Sequence, residues 1–286
     1  MPELPEVETI RRQLAPHVEG RVVERLEILD PRFCEPLAPH ELIDAVQGRR
    51  VERLGRRGKY FVMKLEDEIF LLVHLRMTGT LLIDPLPDQP YQRVVFDLDD
   101  GHEIRFCDPR RFGTGELAIG HDALEAFFAA RLGIEPLGPE LTGARLRALA
   151  KGRRAPIKAF LLDQRKIAGV GNIYADEALF RARIHPLRAA GKLTLAQCEA
   201  LAEAVRYALD RGLERGGATI DDFRHPDGVA GAFQHEFQIH LRRGEPCLAC
   251  GTPVVKMVAA GRGTYVCESC QPRPRRARRT ALRPRP

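Results

Sequence analysis

Apolar residues near the N-terminus recur at Val7, Ile10, Leu14 and Val18, the spacing of one helical face, and Pro5 suits a first helical turn. From Arg21 to Ile119 the period changes to that of strands. The expected strands are Val22–Leu29, Val51–Leu54, Tyr60–Leu65, Ile69–Leu75, Thr80–Ile83, Arg93–Leu98, Glu103–Phe106 and Thr114–Ala118. Turn signals separate them at Arg57-Gly58-Lys59, Asp84-Pro85 and Asp99-Asp100-Gly101, and a short helix is expected at His40–Val46. Many short strands with tight turns predict an antiparallel β-sandwich. A helix at Asp122–Leu132 and a Gly/Pro-rich connector follow. From Ala144 to about Leu213 the pattern reads as wholly helical, with pieces near Arg145–Lys151, Pro156–Leu162, Ile173–Arg181 and Leu195–Leu213. A loop rich in Gly, Asp and His spans Gly216–Gly231, and no internal repeat is visible. The fold class expected is α+β and multidomain.

Composition narrows the function classes. The chain has 286 residues, 44% hydrophobic and 29% charged, which suits a globular protein with a real core. No apolar run approaches the roughly 18 residues that span a bilayer, and the opening MPELPEVETI is not an export signal, so no membrane partner and a cytoplasmic location are expected. The net charge of +6 is a tail effect. Residues 271–286 hold seven Arg and no acid, leaving 38 basic against 39 acidic residues elsewhere. Such a tail holds polyanions without reading sequence, or is merely a solvated terminus.

Cysteine spacing is more specific. Cys34, Cys107 and Cys198 are scattered among apolar neighbours and read as small core residues. Cys247-x-x-Cys250 and Cys267-x-x-Cys270 lie 16 residues apart, the spacing of a four-thiolate zinc site. Four protein ligands leave no open position, so one structural Zn2+ is expected. Between the pairs, Val254–Val266 should form a hairpin whose Gly261-Arg262-Gly263 turn presents an Arg, either to phosphate or to solvent.

Two further segments carry candidate chemistry. Ile167–Tyr174 joins two helices through Gly169-Val-Gly171. Free N–H groups at such an entry bind anions, with Asn172 as cap or donor and Lys158 and Arg165 nearby, although a bare Gly-x-Gly is a weak signal, since packing glycines in helical turns are common. At the N-terminus, removal of Met1 would leave Pro2 with a free secondary amine. That amine can attack an electrophilic sugar carbon and form an iminium, and Glu3 beside it can move protons. On composition alone the better reading is that Glu3, Glu6 and Glu8 complement a helix N-terminus, with Pro5 as the helix starter.

Taken together, PELPEVETIRR, Gly58-Lys59-Tyr60, His74-Leu-Arg-Met-Thr-Gly79, Asp108-Pro-Arg-Arg-Phe-Gly113, Ile157-Lys158, Asp163-Gln164, Gly169–Glu177, Gly216-Gly217, Phe233-Gln234 and Cys247…Cys270-Gln271 resemble the bacterial formamidopyrimidine-DNA glycosylase family over nearly the whole chain. The resemblance implies a two-layer β-sandwich followed by a helix–two-turn–helix domain and a zinc finger, with damaged double-stranded DNA in the cleft between. It implies removal of oxidised purines (8-oxoguanine and formamidopyrimidines), with the lesion swung out of the stack. It also implies strand cleavage by β,δ-elimination, a monomer, and no nucleotide cofactor. Pro2 would be the nucleophile, Glu3 the proton shuttle, Glu6 an ordering group and Lys59 a phosphate-binding assistant to the chemistry. Met77, Arg110 and Phe112 would fill the vacated stack, although alone they read as a core Met, a surface Arg and a core Phe. Asn172 and Arg262, helped by Lys158, would grip the backbone.

The expected domains are a catalytic β-sandwich at 1–131, a linker at 132–143, a helical DNA-binding domain with the lesion loop at 144–234, a zinc finger at 235–271 and a basic tail at 272–286. The chain departs from the family pattern at several points. Arg76 replaces a usual Gly, Ala218 sits in a Gly-Gly-Thr-Thr-like segment, Ala232 replaces an aromatic, and His240-Leu241 replaces Tyr-Gly. Two alternatives stand beside this reading: an endonuclease VIII-like glycosylase for oxidised pyrimidines, and a non-catalytic DNA-binding protein built from the same helix turn and finger.

Overall fold

The computed structural model describes residues 2–219 and 226–274. Helix α1 (Leu4–Val18) opens the chain. Eight strands follow: β1 (Val23–Ile28), β2 (Val51–Arg57), β3 (Tyr60–Leu65), β4 (Ile69–His74), β5 (Thr80–Ile83), β6 (Gln92–Leu98), β7 (Glu103–Cys107) and β8 (Thr114–Ile119), with α2 (Pro39–Val46) inserted after β1. They form two antiparallel four-stranded sheets, ordered β1-β6-β7-β5 and β2-β3-β4-β8. Alternation sends Leu26, Val94, Phe96 and Phe106 of one sheet against Leu54, Phe61, Leu71 and Val73 of the other. The stripe Val7, Ile10, Leu14 and Val18 of α1 packs into this same core. Strand β2 runs past its expected end through Gly55 to Arg57, because its partner β3 supplies a matching ladder from Val62 to Tyr60.

Helix α3 (His121–Arg131) covers the outer face of the second sheet with Leu124 and Phe128. The connector beyond it is pinned rather than loose. The Glu135 carboxylate accepts from Arg56 Nη1 at 2.9 Å, Arg57 Nη1 at 2.9 Å and the Gly58 N–H at 3.0 Å.

A second core is built by α4 (Gly143–Ala150), α5 (Ile157–Leu162), α6 (Asn172–Arg181) and α7 (Leu195–Glu214). Thr142 and Thr194 cap α4 and α7 through their hydroxyls, at 3.1 and 3.2 Å. The helical stretch expected over 144–213 is therefore four helices with irregular connectors. Gly152, Asp163–Gly171 and His185-Pro186 interrupt it, since turn residues override the apolar pattern there. Leu4, at the head of α1, belongs to this second core. One helix thus anchors in both halves of the molecule.

The C-terminal hairpin pairs β9 (Val255–Ala259) with β10 (Arg262–Val266). Its tight turn is Ala260-Gly261, both at positive φ (53° and 70°), the backbone that a two-residue hairpin requires. Arg262 is consequently the first residue of β10, paired with Ala259, and not the turn residue expected. Cys34, Cys107 and Cys198 are buried, as their neighbours imply. Among the described residues no helix is long and apolar enough to cross a membrane. Part of the Gly216–Gly231 loop and most of the Arg-rich tail lie outside the described residues, as does Met1.

Candidate active site and nucleic-acid interface

The head of α1 is pressed into the turn before α6. Leu4 N–H donates to Gly169 O at 3.0 Å, and a Glu3 carboxylate oxygen accepts from Ile173 N–H at 3.0 Å. The anion at the N-terminus of α6 is therefore the chain's own Glu3 carboxylate, not the external phosphate expected there. The glycines make this contact possible. A Cβ on Gly171 would stand 2.3 Å from the Glu3 carboxyl carbon, and one on Gly169, at φ +83°, would stand 2.6 Å from Leu4. The N-cap of α6 is Gly171, so Asn172 is its first helical residue and not its cap.

Pro2, Glu3 and Glu6 are all buried. Glu6 accepts from the Glu3 N–H at 2.8 Å, the Tyr174 hydroxyl at 2.7 Å and the Ala218 N–H at 2.7 Å. Burial first, and the Glu3 charge second, raise its pKa above the ordinary carboxylate value. The second Glu3 oxygen is buried with no partner among the described residues. An unsatisfied buried oxygen beside the chain's first residues is costly unless a reacting group uses it.

Lys59 sits in the β2–β3 turn, only 5% exposed, and makes no hydrogen bond among the described residues. Burial lowers its pKa, Arg262 adds to the effect, and the Glu3 and Glu6 charges oppose it. It lines a cavity of about 600 Å³, together with Gly171, His74, Met77, Phe112 and Arg262. The motif read from sequence did not single out His74. Its Nδ1 accepts from the Arg76 N–H at 2.9 Å, which leaves the proton on Nε2. Burial, with Arg76 and Lys59 nearby, pushes its pKa down to about 3, so at neutral pH it is an uncharged donor on the cavity wall.

The same cavity is also lined by Arg111, Phe112 and Gly113, from a turn built on one carboxylate. Buried Asp108 accepts from the N–H groups of Arg110 (3.1 Å), Phe112 (2.8 Å) and Gly113 (2.8 Å), and from the Thr78 hydroxyl. This fixes Arg111 at φ 58° and leaves Phe112 half exposed, with the Arg110 guanidinium 4.8 Å from its ring centre. An exposed Phe stacked under an exposed Arg is not a core arrangement, so the isolated reading of Phe112 as a core residue fails here. Met77 is half-buried on the neighbouring loop. Arg76 before it has φ 54°, which is the physical reason a Gly suits that position.

Arg262 is exposed and lines the cavity, and Asn172 reaches the same hairpin through Nδ2 to Gly263 O at 3.1 Å. Lys158 is placed differently from expectation. It is fully buried, with Nζ 2.6 Å from Asp176 and 2.8 Å from the Thr264 hydroxyl, so it does not face the cleft. A buried ammonium without its carboxylate would cost several kcal/mol, and that pairing decides its position. The signal was hard to see in sequence, because the partner is 18 residues away.

The four thiolates converge. The Sγ atoms of Cys247, Cys250, Cys267 and Cys270 lie within 4.8 Å of one another, with Cys250–Cys267 at 3.4 Å and Cys247–Cys270 at 3.9 Å. A tetrahedron with Zn–S of about 2.3 Å has S···S edges of roughly 3.8 Å. The spacing fits one structural zinc, and it is far too long for disulfides.

Family models match the formamidopyrimidine-DNA glycosylase N-terminal domain over residues 1–115, its H2TH domain over 132–224, and a zinc finger found in FPG and IleRS over 244–273. A formamidopyrimidine-DNA glycosylase from Symbiobacterium thermophilum is 46% identical over 290 residues, covering 100% of this chain and 94% of the relative. One from Ruegeria pomeroyi is 43% identical, covering 95% and 100%. Among solved structures, MutM (Fpg) from Thermus thermophilus superposes with a TM-score of 0.85 at 42% identity, covering 94% of this chain and 98% of that one. A mutant Lactococcus lactis FPG in complex with Fapy-dG containing DNA superposes with a TM-score of 0.89 at 32% identity, covering 95% and 100%. The wild-type Lactococcus lactis protein has also been solved with DNA containing an oxidised pyrimidine, at a TM-score of 0.88 and 31% identity, covering 95% and 100%.

Proposed function

The chain belongs to the formamidopyrimidine-DNA glycosylase family and is a zinc-finger DNA glycosylase of base-excision repair that acts on damaged DNA; from that premise we propose how its own residues divide the work. Removal of Met1 frees the Pro2 amine. It attacks C1′ of an extruded oxidised purine nucleotide, and the glycosidic bond breaks as the base leaves with a proton. The nitrogen–sugar bond becomes an iminium when the sugar ring opens. Loss of the protons at C2′ and C4′ then expels the 3′ and 5′ phosphates and cuts the strand.

Glu3, whose second oxygen is buried with no partner among the described residues, moves the ring-opening proton. Lys59, with its depressed pKa, binds the lesion phosphate and takes or gives protons in the eliminations. Glu6 fixes the backbone of Glu3 through their 2.8 Å hydrogen bond. Met77, Arg110 and Phe112 enter the vacated stack, Arg facing the orphaned base. Asn172 and Arg262 hold phosphates, with Lys158 acting from below. Zinc fixes the finger's fold and takes no part in the chemistry.

The observation that carries this reading is a buried Lys59 that lines an Arg-rimmed cavity, makes no hydrogen bond among the described residues and lies within electrostatic reach of Glu3 and Glu6, together with a buried Glu3 oxygen that likewise has no partner among them. The enzyme is proposed to act as a monomer, without a nucleotide cofactor, in the bacterial cytoplasm and on the nucleoid when bound. The proposed domains are 1–131, 144–234 and 235–271, joined by the 132–143 linker. The tail at 272–286 adds non-specific affinity through counterion release.

Product analysis tests the substrate class. Duplexes carrying 8-oxoguanine or formamidopyrimidine should lose the base and leave a one-nucleotide gap. Faster excision of an oxidised pyrimidine would move the chain to the alternative specificity, and absence of any excision would leave only a DNA-binding protein.

A further inference from the structure

Beneath Arg262 lies a buried polar cluster that the catalytic reading does not use. Asp176 on α6 spends both carboxylate oxygens: one accepts from Lys158 Nζ at 2.6 Å, the other from His240 Nδ1 at 2.8 Å. All three side chains are at most 5% exposed. Lys158 also donates to the Thr264 hydroxyl at 2.8 Å and reaches Gly263 O at 3.5 Å. The Thr264 hydroxyl in turn donates a hydrogen bond to Arg262 O at 3.0 Å. The His240 ring packs edge-on to Tyr265 of the same strand, centres 5.0 Å apart, and to Phe237 at 5.4 Å. Four successive residues, Arg262 to Tyr265, are therefore held by a cluster rooted in α5 and α6. Arg262 itself is exposed, and among the described residues no hydrogen bond joins its side chain to the cluster.

We propose that His240 and Asp176 are positioning residues for Arg262. Their hydrogen bond orients Asp176, Asp176 orients Lys158, and Lys158 fixes the backbone from which the Arg262 guanidinium reaches the DNA. The chain has His where the family pattern has Tyr, and it is the Nδ1–H of this His that closes the cluster. Networks of this kind transmit geometry because each member has one good arrangement, and removal of one donor loosens the rest. The inference rests on Arg262 being a DNA contact.

The test uses full-length, zinc-loaded protein. His240→Phe keeps the ring against Tyr265 and Phe237 but removes the donor, and it leaves the Lys158–Asp176 pair intact. His240→Asn places an amide N–H where Nδ1 stood. With a duplex carrying an uncleavable abasic analogue, His240→Phe should raise Kd about tenfold, and His240→Asn should recover most of that loss. The borohydride-trapping rate at saturating abasic duplex should stay within about twofold, because the residues at the reacting sugar are untouched. In an Arg262→Ala background, His240→Phe should cost nothing more, since the group it positions is gone. Unchanged affinity in His240→Phe, or a loss that simply adds to that of Arg262→Ala, would overturn the positioning role. If Arg262→Ala alone left affinity unchanged, the DNA contact itself would be wrong, and the positioning role would fall with it.

Discussion

Lys59 is held in an unfavourable place. Its side chain is buried and makes no hydrogen bond among the described residues, and burial depresses its pKa while Glu3 and Glu6 offset only part of that. Proteins retain such groups where function needs them, and removal then stabilises the fold. Lys59→Met keeps the volume and discards the charge. It should raise stability by about 1 kcal/mol, or roughly 2–4 °C in Tm. It should also slow strand cleavage at least tenfold, more than it weakens duplex binding. The stability gain should shrink as pH rises. Between the folded and unfolded pKa values of this lysine the unfolded chain binds more protons, so wild-type stability climbs with pH there. Calorimetry and cleavage assays check both halves, and a less stable variant with normal turnover would make Lys59 a structural residue.

The entry to α6 carries most of the site's precision. Gly171 is there because the Glu3 carboxyl occupies the space a side chain would need. Gly171→Ala should therefore displace Glu3 or the chain start. The expected result is a loss of base excision and trapping of roughly 10²-fold, with zinc retained and only modest loss of stability. Normal activity in this variant would show that the Glu3–Ile173 contact does not matter. This contact also marks what the sequence could not reveal. Alternation made the sandwich strands legible to within a residue or two, except β2, where Gly55 looked like an end and is a paired position. Cysteine spacing alone located the metal site. Long-range polar partners were invisible: a Gly-Val-Gly turn looked like a phosphate cradle until Glu3 was found filling it. Lys158 looked like a surface grip until Asp176 was found beneath it. His74 offered no signal beyond its motif, because its neutrality comes from burial and from Arg76 and Lys59 beside it.

Across the whole molecule, α1 is the part that couples the two halves. Val7, Ile10, Leu14 and Val18 belong to the sandwich core, and Leu4 belongs to the helical core. The first residues of the chain are thereby held at the junction, where the sheet-borne Lys59 and His74 meet Arg262 of the finger across the same cavity. Neither half alone assembles the site, so catalysis and DNA binding should be lost together when the halves separate. The central claim is chemical, and one measurement reaches it directly. Borohydride-reduced complex on an abasic duplex is digested, and the sugar is located by peptide mass spectrometry. The account predicts an N-terminal peptide beginning at Pro2, with the deoxyribose remnant on its nitrogen. Attachment to Lys59, or fully active protein that still carries Met1, would contradict it.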